Sequence, residues 1–319
     1  MYYIQSSAYI SHQDTFRKKG FSKNLSEKIS TLIKPDYKEF INPSLIRRMS
    51  EVLRMSVACG SAALKDAGVI TADAIIAGTG LGCLMDTEKF LNNVITIQGG
   101  MLPPTSFIQS THNTIAGQLS LALSCHSYNM THTQNSLSFE YALSDAMLML
   151  DEQSGNILAG AADEYIDPLQ PVANHFGLNR FPLTSGAGFF VLSDKVSAHT
   201  QAVLADVLAI NDSDENVCKD FLQRNQLSVP DLILTDGYRD DNLRQLRLNF
   251  SETPVIPYTP LCGTYATSSA FAMHLAIDIL QEKTTHVSGS EIKQHRTALV
   301  INQLLPGHTG LILIKNHEA

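Results

Sequence analysis

Residues 131–150 read Thr131-His132-Thr133-Gln134-Asn135-Ser136-Leu137-Ser138-Phe139-Glu140-Tyr141-Ala142-Leu143-Ser144-Asp145-Ala146-Met147-Leu148-Met149-Leu150. The first part is polar with β-branched threonines, which suits an extended strand. In the second part Leu137, Ala142, Leu143, Ala146, Leu148 and Leu150 recur close to a helical period. The pattern predicts a strand, a sharp turn near Asn135–Ser136 and a buried helix. Such an elbow lifts one side chain to the top of a sheet and aims the positive end of a helix at it. The side chain lifted here is that of Ser136.

Hydrophobic residues make up 44% of the 319 positions and charged residues 17%. That balance fits a large core, built as one large domain or two fused halves. No run reaches the ~18 apolar residues of a membrane helix. The opening Met1-Tyr2-Tyr3-Ile4-Gln5-Ser6-Ser7 lacks the basic start and apolar stretch of a signal peptide. No membrane association and a cytoplasmic location are therefore expected. A net charge of −8 and a pI of about 5.7 argue against a nucleic-acid partner, which needs a basic footprint. Cys59, Cys83, Cys125, Cys218 and Cys262 are far apart, with no C-x-x-C pair. They read as buried small side chains in a reducing compartment, not as a zinc site or a disulfide framework. No metal and no cofactor are expected.

Working outward from the elbow, Tyr128–Thr133 is the strand that enters it, and Thr111–Leu119 a small-residue helix before that strand. Asp86–Gly100 reads as a helix and loop. Ala74–Ala77 is a short buried strand. The Gly78-Thr79-Gly80-Leu81-Gly82 after it resembles a dinucleotide loop, but Cys83 takes the place of a glycine and no acidic ribose partner follows. A strand-ending turn is the better reading. Asn42-Pro43-Ser44 signals a helix start, followed by one long small-faced helix from Leu45 to Ala67 that Gly68 ends. Residues 11–34 read as a polar surface excursion after a first strand, Met1–Ile10.

Downstream, Asn156–Gly160 lacks alternation, as in a strand buried on both faces of a parallel sheet. Ser185–Leu192 is a glycine-hinged core strand. Ala202–Ile210, Leu232–Thr235 and Val255–Tyr258 are further strands, and residues 212–215 a solvated acidic run. Gly263–Leu280 is a small-residue helix, and Thr297–Asn302 pairs with Thr309–Lys315 to close the chain. Strands alternating with helices imply an α/β architecture.

Several segments resemble the β-ketoacyl synthases, condensing enzymes of the thiolase fold. They are Phe107-Ile108-Gln109-Ser110-Thr111-His112-Asn113-Thr114-Ile115-Ala116-Gly117-Gln118, Leu158-Ala159-Gly160-Ala161-Ala162-Asp163-Glu164 and Gly186-Ala187-Gly188-Phe189-Phe190-Val191-Leu192. The resemblance covers nearly the whole chain. It implies a layered αβαβα sandwich of two related halves, 1–195 and 196–319.

The resemblance fails at the chemistry. Counting back from Ser144-Asp145-Ala146, which is similar to the family's G-D-A, the position of its nucleophilic cysteine falls on Ser136. The histidine of its H-G-T-G-T motif becomes Asp236. Its K-S-x-x-G-H motif becomes Thr259-Pro260-Leu261-Cys262-Gly263-Thr264, which loses the lysine and the histidine. Its closing G-F-G-G is Leu305-Pro306-Gly307-His308. A hydroxyl needs a strong neighbouring base to act, and losing one oxyanion donor alone costs on the order of 3 kcal/mol. The resemblance thus implies a scaffold without condensing activity. Ser136–Ala146 is similar to the chain-length-factor-like subunits of bacterial aryl polyene and flexirubin clusters. So is Asn42-Pro43-Ser44-Leu45-Ile46-Arg47-Arg48-Met49-Ser50. Such subunits pair with an active synthase and shape its acyl tunnel.

In condensing enzymes the strand before the elbow pairs with its copy across a twofold axis, so the resemblance implies an interface at Tyr128, Asn129, Met130, Thr131, His132, Thr133 and Gln134, an exposed edge that wants a partner. The implied partner is a homologous active ketosynthase, with acyl carrier protein reached through the complex. Two alternatives stand beside it: an autonomous acyltransferase or thioesterase using Ser136, and a homodimeric acyl-binding protein. For the former, His132 is the only local base and reads as structural or interfacial. Cys125-His126 reads as a plain loop, because neighbours on a strand face opposite ways. Glu140 is either a buried paired carboxylate or a plug closing the pocket. His308 reads as a surface residue. Arg47, Arg48 and Arg54 form either a carrier-protein patch or a solvated helix face.

Overall fold

In strand β5, Gly186–Ser193, Phe189 and Val191 join one apolar cluster while Phe190 and Leu192 join another. This period-2 alternation places a layer of helices on each face of the sheet. The computed structural model describes residues 1–18, 25, 31–97, 100–212, 216–282, 286–287, 290–291 and 295–317. Much of the expected excursion 11–34, and positions 213–215 of the acidic run, lie outside them.

The strands before β5 are β1 (Tyr2–Ile10), β2 (Ala74–Gly78), β3 (Tyr128–His132) and β4 (Asn156–Asp163). After it come β6 (Ala202–Ile210), β7 (Leu232–Thr235), β8 (Val255–Pro257), the short hairpin of β9 (His286–Val287) with β10 (Ser290–Glu291), β11 (Thr297–Asn302) and β12 (Thr309–Lys315). The main sheet runs β3-β2-β4-β5-β1-β6-β12-β11-β7-β8. Its two ends mirror each other: from either edge the order is third, second, fourth, fifth and first strand of that run. The runs join only where Tyr2, Tyr3 and Ile4 of β1 pair with Leu204, Val203 and Ala202 of β6.

The helices are α1 (Pro43–Ile46), α2 (Glu51–Asp66), α3 (Leu84–Thr96), α4 (Pro104–Gln109), α5 (Thr114–Leu123), α6 (Ser138–Glu152), α7 (Leu169–His175), α8 (Val217–Arg224), α9 (Asp240–Asn249), α10 (Thr259–Cys262) and α11 (Ser269–Leu280). Helices α6 and α11 touch strands of both runs and form the middle layer. All twelve residues of α11 are buried, as befits a helix packed on every side. Helix α2 covers the outer face of the first run, and Phe221 and Leu222 of α8 with Leu246 of α9 cover that of the second. One apolar cluster packs the middle helices against both runs and two more lie under the outer helices, giving five layers, α/β/α/β/α.

The structure corrects several expected boundaries. The helix predicted over Leu45–Ala67 is two. Asn42 caps α1 through Ser44 N–H at 3.0 Å, and extended backbone at Ser50 (ψ 171°) separates α1 from α2. Arg54 bridges the break, donating from Nε to the Ile46 carbonyl at 3.1 Å. The helix predicted over Gly263–Leu280 starts only at Ser269, because Gly263 leaves α10 with φ +79° and Thr264 then bridges to Leu183. The helix predicted at Thr111 starts at Thr114, after the separate α4. Strand β4 extends to Asp163 and is mixed, parallel to β2 but antiparallel to β5. Cys125 is buried with its thiol on the Ala72 carbonyl at 3.1 Å, while His126 is exposed. All five cysteines are free. Among the described residues no helix is long and apolar enough to cross a membrane.

Candidate functional site

The elbow forms as its residues predict. After β3, Asn135 takes a left-handed backbone (φ +50°), tolerable for asparagine, and starts a single 3-10 turn, Asn135–Leu137, that runs into α6. Gly78, at the end of β2, allows the turn to sit close: a Cβ there would lie 2.5 Å from the Ser138 carbonyl oxygen. Ser138 Oγ locks the turn by donating to the Asn135 carbonyl at 2.8 Å.

Ser136 is 1% exposed and lines a cavity of about 400 Å³. Leu81, Leu169, Val172, Phe176, Leu183 and Leu305 supply apolar wall. His132 is not the neighbour of this hydroxyl. Its Nε2 lies 2.8 Å from Asp145 Oδ2 on α6, and Tyr128 Oη donates to the same oxygen at 3.2 Å. The ring beside Ser136 belongs to His308, whose Nδ1 is 3.2 Å from Ser136 Oγ. His308 is half-buried, so the expected surface residue is part of the site.

The β11–β12 connection places this imidazole. Leu305-Pro306-Gly307-His308 forms a tight turn with the His308 N–H on the Leu305 carbonyl at 3.2 Å and Gly307 at φ +74°. Proline followed by glycine is the residue pair such a turn requires. Asn302 ties the turn to the elbow: its Nδ2 donates to the Ser136 carbonyl at 2.7 Å and to Glu140 Oε1 at 2.9 Å, and its Oδ1 accepts the Leu304 N–H at 3.3 Å. Glu140 is thus a buried carboxyl paired with Asn302 through Oε1, while Oε2 lacks a hydrogen-bond partner. Burial pushes its carboxyl up to about 7 against the pull of the Asn302 amide. It does not line the cavity.

The other positions that the resemblance aligned with family catalytic residues divide. Thr264 lines the cavity, but its Oγ1 donates to Tyr238 Oη at 3.3 Å and its N–H to the Pro182 carbonyl at 2.8 Å. Asp236 is buried, with one carboxylate oxygen on the Tyr238 N–H and the other on the Gln303 N–H, both at 2.8 Å. Burial raises its carboxyl above the ordinary range. Thr259 donates to the Asp236 carbonyl. Asp236 and Thr259 therefore come together as a clamp on two loops, and neither lines the cavity.

The glycine loop after β2 cradles a carboxylate of the chain itself. Asp163 accepts from Thr79 Oγ1, Gly80 N–H and Leu81 N–H, and from Thr267 Oγ1 just before α11. Glu164 accepts the Val52 and Met85 N–H groups at the starts of α2 and α3, at 3.3 and 2.9 Å. Burial pushes Glu164 up to about 7. Among the described residues no cluster of three or more His, Cys, Asp or Glu could hold a metal.

The entering strand β3 is the sheet edge, and Tyr128, Asn129 and Met130 are exposed. Among the described residues, more than half of the exposed large apolar side chains fall between Leu81 and Met130, on α3, α4, α5, β3 and their loops. Among the expected interface residues, Thr131 and His132 are half-buried and Thr133 and Gln134 exposed.

Among known structures, the ishigamide ketosynthase/chain length factor superposes with a TM-score of 0.76 over 99% of each chain, at 15% identity. The AntDE:AntF complex, a type II PKS acyl-carrier protein with its ketosynthase bound to the hexaketide, matches at 0.76 over 99% of each chain and 17% identity. A β-ketoacyl synthase from Burkholderia phymatum STM815 matches at 0.76 over 99% of each chain and 13% identity. At such identities the likeness is one of fold, the thiolase-like α/β sandwich. No curated protein sequence matches. The model of the β-ketoacyl synthase N-terminal domain matches residues 24–239, about two thirds of the chain. With that match and this fold, the chain belongs to the β-ketoacyl synthase family.

Proposed function

We propose that this chain is a chain-length-factor-like subunit that forms no carbon–carbon bond itself and pairs with a homologous, cysteine-bearing ketosynthase. The observation that carries the reading is the clamp at Asp236. Both carboxylate oxygens are taken by backbone N–H groups, so the group replacing a catalytic histidine holds loops together. The elbow presents a hydroxyl in place of a thiol, and Thr264 is spent on Tyr238. None of Ser136, Asp236, Thr259 and Thr264 supplies the imidazolium-like donors that decarboxylative condensation needs.

Tyr128–Gln134 and the apolar surface around α3–α5 form the pairing face. An unpaired edge beside exposed apolar side chains is the surface a second subunit would cover. A ketosynthase/chain length factor and a carrier-protein complex among the structural neighbours support such a partnership. The halves 1–195 and 196–319 are two copies of one unit, a reading supported by their matching strand order. The setting is polyene-type or fatty-acid-type biosynthesis in the cytoplasm, as in aryl polyene and flexirubin clusters. Carrier protein is met through the complex, and the exposed Arg47 and Arg48 are the candidate contacts.

Co-expression with a homologous ketosynthase that keeps its cysteine and histidines tests the pairing. Size-exclusion chromatography with light scattering should give a one-to-one complex, and Met130→Asp on the edge strand should break it. Elongation of an acyl-carrier-protein thioester with malonyl units should require the partner. Elongation by this chain alone, or a stable homodimer that ignores the synthase, would overturn the reading.

A further inference from the structure

We infer that Ser136 and His308 form a nucleophile–base pair that takes an acyl group from a thioester onto Ser136 Oγ and releases it to water. The inference goes beyond the pairing role and does not depend on it.

Three independent features converge on one atom. The first is the 3.2 Å contact between Ser136 Oγ and His308 Nδ1, within reach for proton transfer. The second is the wall. The cavity that Ser136 lines is walled mainly by leucine, valine and phenylalanine side chains, with Asp163, Glu164 and Thr264 also at its wall, and a mainly apolar wall suits a linear acyl chain better than a wholly polar substrate. Phe176, exposed just after the end of α7, forms part of that lining and gives the chain an apolar entry. The third is the backbone. The first 3-10 hydrogen bond of the elbow runs from the Leu137 N–H to the Gln134 carbonyl at 3.0 Å. The Ser136 N–H precedes that bond and has no acceptor within the helix. At the positive end of α6 it can donate to an oxyanion formed next to its own side chain.

The pair is held and not merely adjacent. Asn302 grips the Ser136 carbonyl and the Leu304 N–H together, so the elbow and the loop carrying His308 move as one. The chemistry balances without another reagent than water. With Nδ1 unprotonated, His308 takes the Ser136 proton while Oγ bonds to the thioester carbonyl carbon. The carbon–sulfur bond breaks, and the proton passes from His308 to the leaving sulfur as a thiol. Water then attacks the ester, its proton moves to His308, and the carbon–Oγ bond breaks as that proton returns to Ser136. The products are one thiol and one carboxylic acid.

The test uses the full chain with the octanoyl thioester of N-acetylcysteamine, read by thiol release and by intact-protein mass. We expect one octanoyl ester mapped to Ser136, and thiol release that falls to background in Ser136→Ala. General-base catalysis by a positioned side chain is worth on the order of 10²–10⁴-fold, so His308→Ala should slow acylation by about that factor. If Ser136→Ala does not fold, labelling of wild-type Ser136 by an alkyl fluorophosphonate, blocked by the thioester, carries the test. No adduct, an adduct on a cysteine, or a His308→Ala rate equal to wild type would overturn the inference. Heterodimer formation is untouched by any of these outcomes.

Discussion

The elbow and the 236–264 segment reach one cavity through Ser136 and Thr264, yet they treat their polar groups in opposite ways. Around Asp236 the available valences are filled: two backbone N–H groups hold the carboxylate, Thr259 holds the Asp236 carbonyl, and Thr264 holds Tyr238. Around Ser136 the backbone carbonyl is satisfied by Asn302, while the residue lines a cavity and its hydroxyl has an imidazole beside it. A buried polar group whose partners are all protein stabilises the fold. One that keeps a free side toward an apolar cavity is available for chemistry. The two regions therefore differ in what they leave open: protein partners fill one, and a hydroxyl with an imidazole beside it stands at the other.

Asp236→Ala sharpens this contrast most. It leaves two buried N–H groups unpaired, each worth about 1–3 kcal/mol, so a loss of about 4 kcal/mol in urea unfolding is expected. A near-neutral result would break the assignment of Asp236 as a clamp.

Glu140 gives the next effect, with the opposite sign. Its carboxyl is raised from an ordinary 4.5 to about 7 in the fold. Between those values the native chain holds a proton that the unfolded chain has lost, so stability falls as pH rises through this window and levels off above it. Glu164 adds to the same trend. Glu140→Gln should remove its share, raising stability at pH 8 by up to about 3 kcal/mol, with little change at pH 4. Urea melts across that range check it, and an unchanged slope would mean Glu140 is ionised in the fold.

Gly307→Ala forces a side chain into left-handed backbone, at a cost of about 1–2 kcal/mol. It should also slow Ser136 acylation, because the turn aims His308. Ser136→Ala is the smallest. One hydroxyl contact to a half-buried ring is worth about 1 kcal/mol or less, so its melting curve should nearly overlay wild type while acylation disappears. A large destabilisation would make Ser136 structural and bring it into line with Asp236.

The elbow was readable because its signals are local. Apolar spacing through Leu150, an asparagine able to take positive φ, and threonines in the entering strand lie within twenty consecutive residues. The strands were readable for the same reason. Helix boundaries were less so: one extended residue, Ser50, divides a run whose periodicity continues across it. The pairing of His308 with Ser136 was not readable at all, since 172 positions separate them. The Pro306-Gly307 signal marks a turn but cannot say what it faces, and His132, much closer along the chain, is held by Asp145 instead.

The order of elements and the elbow were determined by the sequence alone, because each depends on residue type and short-range spacing. Which polar groups are consumed and which stay open was decided only by the tertiary structure. Hydrogen-bond partners across a sandwich are set by how two runs of strands close on α6 and α11, and residue spacing along a chain carries no record of that closure.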